Sequence, residues 1–191
     1  MEKRGLIETD HRRLQGARFS RDRRYRYQLW RTWDTQISQR CVFVGLNPSA
    51  ADERSNDPTI RRCVGFAESW KGRWRCGGLT VVNLFGYCTH DPASLKQQSD
   101  PYGRANTKWL HKTCADPDAR VICMWGNHGE FANASERFLN WCQRKQIAVY
   151  ALRTNSSGQP AHPLYLPSSL KPFNYKSGAS LTCDPIARAS N

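Results

Sequence analysis

Six polar side chains follow directly on apolar runs: Asn47 in "GLNPS", Asn83 in "VVNLF", His90 in "CTHDP", Asn127 and His128 in "WGNHGE", and His162 in "AHPLYLP". Amides and neutral imidazoles read a base edge through hydrogen bonds, position a water, and stabilise negative charge developing on a leaving group. Hydrolysis of an N-glycosidic bond needs those three acts, because an oxocarbenium-like sugar departs from an anionic base in its transition state. The sequence offers no paired carboxylate, no Gly-rich phosphate loop, and no Ser or Cys on a nucleophile elbow, so covalent mechanisms find little support. Its eight cysteines form no CxxC pair and sit mostly in apolar segments, the pattern of small buried thiols. No disulfide, zinc, iron-sulfur cluster or other cofactor is expected.

The elements that must carry these residues read as alternating strands and helices. Four runs apolar on both faces, "CVFVGL" (41–46), "LTVVNLF" (79–85), "RVICMWG" (120–126) and "IAVYAL" (147–152), predict buried strands of a parallel sheet. Helical patterns lie between them: "DPTIRRCVGFAESW" with Asp57 as N-cap and Pro58 at the first helical position, then "ANTKWLHKTCA", then "SERFLNWCQRK". The expected class is α/β, a three-layer α/β/α arrangement around a central, mainly parallel four-stranded sheet. An N-terminal edge strand or hairpin is expected from "RRYRYQLWRTWD" (23–34), whose charged and aromatic residues alternate. In such sheets ligands bind beyond the carboxyl ends of the strands, where the six polar residues fall.

The division expected is a basic N-terminal segment (1–22), one domain (23–175) and a flexible tail (176–191). Lys and Arg number 29 against 16 Asp and Glu, a formal net charge of +13 that suits a polyanion, nucleic acid first. Neither a membrane span nor a signal-like apolar core is read, so a cytoplasmic location without membrane or obligate protein partner is expected.

In order and spacing, "GLNPS", "VVNLF", "VICMWGNHGE" and "HPLYLP" resemble the motifs of the uracil-DNA glycosylase superfamily. More narrowly, residues 25–170 resemble a bacterial and phage family of unknown function sharing GLNPS, DPTIRRC, VVNLF, WGNHG and HPLYL. The superfamily resemblance implies a glycosylase-like fold and assigns roles by position. Asn47 would position the attacking water, Asn83 would read the base, and His162 would donate toward the pyrimidine O2. Leu164 or Tyr165 would lie where the minor-groove wedge helps expel the nucleotide. Uracil-specific members place a Tyr that crowds the base C5 position where this chain has Ser49, so a bulkier 5-substituent would enter. Leu164 also stands where a phosphate-binding Ser is found, which leaves phosphate contacts to Arg61, Arg62, Arg24 and Arg26.

Local readings compete with these roles. Asn-Pro-Ser is ordinary turn chemistry, and Asp57 suits a helix cap. Asp52 and Glu53 read as solvated loop charges, although Asp52 or Asp57 could assist the water; Asn127 and His128 are accessory candidates. Phe66 and Phe85 are the aromatics expected to stack on a flipped base, while His90 and His111 read as surface or capping residues. The combined expectation is a DNA glycosylase that removes a modified pyrimidine, such as the glucosylated hydroxymethylcytosine of phage DNA, in defence or repair. The alternatives are a DNA base-modification transferase and a non-catalytic DNA-binding module.

Overall fold

The structure is a computed structural model that describes residues 14–175. Cys183, the rest of the C-terminal segment 176–191 expected to be flexible, and most of the basic N-terminal segment lie outside the described residues.

Eleven elements follow in the order β1 (Gln15–Phe19), β2 (Arg26–Thr32), β3 (Arg40–Gly45), α1 (Pro58–Ser69), β4 (Gly78–Asn83), α2 (Pro92–Lys96), α3 (Asn106–Cys114), β5 (Ala119–Cys123), α4 (Ala134–Arg144), β6 (Val149–Ala151) and β7 (Phe173–Asn174). They build an α/β fold on one sheet of order β1-β2-β4-β3-β5-β6-β7. The expected four-stranded, mainly parallel sheet is thus a seven-stranded mixed one. β4, β3, β5 and β6 run parallel, whereas the β1–β2 hairpin continues antiparallel onto β4 and β7 adds antiparallel to β6. The hairpin strand β2 is therefore interior, not an edge.

Alternation along β3 explains why its run is apolar throughout. Cys41 and Phe43 pack with α1 residues Ile60, Cys63 and Phe66, while Val42 and Val44 pack with Leu110, Cys114 and Phe138 of α3 and α4. Each strand residue meets a helix on one face or the other. Helix α1 starts where Asp57 accepts the Ile60 N–H at 2.8 Å, with Pro58 in its first turn. Its buried stripe is Ile60, Cys63, Phe66 and Ala67.

Two aromatic assignments change at this level. Phe66 belongs to that stripe and stacks toward Trp70; Phe85 is fully buried against Tyr102 and Phe131 on the opposite face. Each ring stabilises the core by about 1.5–3 kcal/mol through burial, and neither lines the cavity at the strand ends. Arg62 also has structural work, since Nε donates to the Pro163 carbonyl at 3.4 Å and Nη2 to the Leu166 carbonyl, which fastens α1 to the turn holding His162.

One irregularity in β2 matters for the site. Arg18 pairs with Gln28 and Phe19 with Arg26, so Tyr27 is an extra residue, a β-bulge. Strict alternation would put Gln28 and Arg26 on one face. Instead Gln28 donates to Thr113 of α3, and Arg26 Nη1 donates to the carbonyl of Ala51 on the α1 side. Arg31, also buried, donates to the carbonyls of Asp52 and Ser55 and to Asn56 Oδ1. Two arginines of β2 therefore hold the loop between Asn47 and α1. Among the described residues no helix is long and apolar enough to cross a membrane.

Candidate functional site

A cavity of about 570 Å³ opens at the carboxyl ends of β3, β4 and β5. That size falls within the range of roughly 300–1,000 Å³ usual for small-molecule sites. It brings together Asn47, Ser49, Asn83, His162 and Tyr165, along with Asp57, Asn127 and His128.

Asn83 ends β4 opposite Gly45 of β3. The amide of Asn106 fixes this strand end by donating to the carbonyls of Asn83 and Leu84, both at 3.0 Å. The Asn83 side chain is buried, yet its Nδ2 has no partner. An unpaired buried donor is costly, and its place at a cavity wall marks it as a group awaiting an acceptor. Gly45 makes room for it, because a Cβ there would stand 2.7 Å from Asn83 Oδ1. Gly45→Ala should fold but displace this amide, weakening ligand binding in this cavity by about tenfold, or about 1.4 kcal/mol, in a fluorescence titration.

Asn47 donates through Nδ2 to the carbonyls of Thr89 at 2.8 Å and Pro48 at 3.0 Å, with a longer contact to Tyr87 at 3.4 Å. Three carbonyl acceptors fix the amide's orientation. Its Oδ1 takes no hydrogen bond among the described residues and remains an acceptor suited to a water.

His162 caps the short turn Pro163–Tyr165, its Nδ1 accepting the Leu164 N–H at 3.4 Å. A neutral ring in that arrangement carries its proton on Nε2. Partial desolvation lowers the His162 pKa below 6.5, against the pull of the Asp57 carboxylate in the opposite direction. The histidine is thus neutral at pH 7 and presents an N–H donor.

The pH signature follows from linkage. As pH falls below about 6.5 the unfolded chain binds the His162 proton before the folded one does, so stability drops with acidification. His111, stacked on Trp141 and also shifted down by burial, acts in the same direction. His162→Gln should lose only its share: its Tm deficit or surplus relative to the parent must move in the variant's favour as pH falls below 6.5, readable by calorimetry at several pH values.

Ser49 Oγ lies 2.7 Å from His90 Nδ1, and both line the cavity. His90 is exposed, in keeping with the surface reading, and also lines the cavity, because the loop from Tyr87 to Thr89 that Asn47 clasps carries it there. Tyr165 is 88 % exposed at the mouth, the most exposed large hydrophobic side chain among the described residues, whereas Leu164 is half-buried and does not line the cavity. Asn127 accepts from Asn155 Nδ2 at 2.8 Å and Ser157 Oγ at 2.9 Å, which ties the β5 and β6 loops. At Gly126 the chain turns through φ +67, a left-handed value that favours glycine, as it leaves β5.

The other expected residues lie elsewhere. Asp52 accepts the N–H groups of Arg54 and Ser55 at 2.8 and 2.7 Å, bonds that hold its pKa down, and it does not reach the cavity. Glu53 pairs with Arg23. Arg24 and Arg61 are exposed outside the cavity, while Arg26 is buried in its wall. Arg153 and Asn155 line the cavity too; their sequence signal was only a place just after the fourth apolar run. Among the described residues no three His, Cys, Asp or Glu side chains group as metal ligands would, and the seven described cysteines are free thiols.

Residues 26–164 match the family described as protein of unknown function (DUF1643). The chain belongs to that family. The match begins at Arg26 and ends at Leu164, so the DUF1643 region contains every cavity residue named above except Tyr165 and Leu166. No curated protein and no solved structure matches the chain.

Proposed function

We propose that this DUF1643 protein is a DNA glycosylase of the uracil-DNA glycosylase type, acting on a flipped pyrimidine that carries a large 5-substituent. The observation that carries the reading is the buried, unpartnered Nδ2 of Asn83 in a cavity shared with an oriented amide oxygen on Asn47 and a neutral imidazole on His162. Asn83 would pair with the base edge, since an amide offers a donor and an acceptor. Asn47 Oδ1 would accept from the attacking water, and Asp57, whose Oδ1 already serves the α1 cap, could supply a second acceptor. The His162 Nε2–H would stabilise charge building on the departing base.

The parallel centre β4-β3-β5-β6, with the motif residues at its strand ends, supports the superfamily resemblance. Tyr165, projecting at the mouth beside His162, suits the wedge that fills the vacated stack. If Ser49 stands where uracil-specific members exclude a 5-substituent, as its place in the motif implies, its partner His90 would stand there too, and a hydroxylated group such as a sugar would meet both. Flipping costs a few kcal/mol, which such contacts offset. A net charge of +13 favours DNA as the substrate's carrier.

The test is incubation of purified protein with unmodified, uracil-containing and phage-modified DNA, followed by detection of free base and alkali-labile abasic sites. Base release confined to the modified DNA is the expected result. A changed base mass without abasic sites would establish the transferase alternative instead, and a mobility shift alone would leave only a DNA-binding module.

A further inference from the structure

Arg26 is 2 % exposed, lies in the wall of the cavity, and has no carboxylate within ion-pair reach among the described residues. Its Nη1 donates to the Ala51 carbonyl, and its buried Nε has no partner at all. A guanidinium that served only to hold the loop would use its fork fully, as Arg31 does with five acceptors. The β-bulge at Tyr27 is what turns Arg26 from the α3 face to this wall.

We propose that Arg26 is the cavity's oxyanion-binding group and takes a phosphate ester or a carboxylate carried by the bound ligand. Burial disfavours its charge, but arginine stays protonated at any physiological pH, so the cavity holds a permanent cation. Asp57 lines the same cavity without pairing with it, and with Arg153 present two arginines face one carboxylate. A neutral acceptor would satisfy the free Nε–H yet leave the charge without a contacting counter-ion, since Asp57 and Asp52 favour it only from beyond ion-pair distance. An oxyanion does both, through short charge-assisted bonds. This separates Arg26 from Arg24 and Arg61, whose exposed charges attract any polyanion without reading a ligand.

The two sources of such an anion are a nucleotide phosphate and a carboxylate on the base, and four probes distinguish them. The full chain is titrated with inorganic phosphate, deoxycytidine, deoxycytidine monophosphate and 5-carboxydeoxycytidine, read by tryptophan fluorescence and by the Nε–H resonance of Arg26 in a ¹⁵N-labelled sample. At least one charged nucleoside should bind tenfold or more tighter than deoxycytidine and shift the Arg26 resonance. Preference for the monophosphate together with a response to inorganic phosphate identifies a phosphate site; preference for the carboxynucleoside alone identifies a base carboxylate. Arg26→Met should abolish the preference while keeping the parent's affinity for deoxycytidine, which shows the cavity intact even where loss of the bond to the Ala51 carbonyl lowers Tm. Equal binding of charged and neutral nucleosides, an unmoved Arg26 resonance, or a preference retained in Arg26→Met overturns the proposal. None of these readouts involves base release, so the site stands or falls separately from glycosylase activity.

Discussion

Asn83→Leu is expected to lower base release by about 10²–10³-fold while leaving the protein as stable as before or more so, by about 1 kcal/mol. The two effects share one cause. Asn83 Nδ2 is buried with no partner, a state that costs about 1–3 kcal/mol in the empty protein and is relieved only when a ligand supplies an acceptor. Leucine has the same branched four-atom skeleton with no polar atoms, its larger methyls able to reach into the adjoining cavity, so it removes the cost and the recognition together. The backbone carbonyl of Asn83 keeps its bond from Asn106 whatever the side chain. Single-turnover excision on the cognate DNA and urea unfolding measure the pair. Unchanged excision would remove Asn83 from the proposed site. A stability loss of about 2 kcal/mol would instead make the amide a structural group, contrary to its unpaired state.

That combination of reduced stability and unpaired polarity is typical of functional walls, and it bears on what the sequence could and could not disclose. The strands carrying Asn47, Asn83 and Asn127 were legible because both faces of β3, β4 and β5 are buried, which leaves unbroken apolar runs. Asp57 and Pro58 marked the start of α1 through local capping chemistry, which needs no tertiary information. Convergence of the strand-end residues on one rim then followed from parallel pairing. What remained hidden depends on contacts distant in sequence. Phe66 looks identical in sequence whether its helix stripe faces the sheet or a ligand, and only packing on Trp70 decides. The bulge at Tyr27 exists through its pairing with β1, so no reading of β2 alone turns Arg26 inward. The place of His90 on the rim was expected, but not its means: Asn47 clasps its loop across 42 residues. The β7 strand, two residues long, has too little periodicity to register.

Asn47→Asp provides the second large effect, and its sign opposes what the basicity of a carboxylate alone suggests. A carboxylate polarises water better than an amide, so aspartate at this position would be expected to accelerate the reaction. Local geometry argues otherwise, because Asn47 Nδ2 donates to the carbonyls of Pro48 and Thr89 and approaches that of Tyr87. Aspartate would replace those donor contacts with oxygen facing oxygen, losing about 2 kcal/mol of stability at neutral pH and loosening the loop that carries His90. Base release should fall by about tenfold or more rather than rise, since the loop orients the acceptor. The deficit must depend on pH in a defined way. Carbonyl neighbours raise the folded-state pKa of the new carboxyl above its unfolded value of about 3.9. The penalty is therefore complete at pH 7, shrinks as pH falls through the raised folded pKa, and vanishes below about pH 4, where the protonated carboxyl can donate to one carbonyl. Asn47→Ala lacks the charge and should show no such recovery. Urea unfolding of the parent and both variants between pH 4 and 8 separates the cases. An aspartate variant that matched the parent's stability at pH 7 and excised faster would mean that the three carbonyls do not clamp Asn47, and that water activation here tolerates a true base.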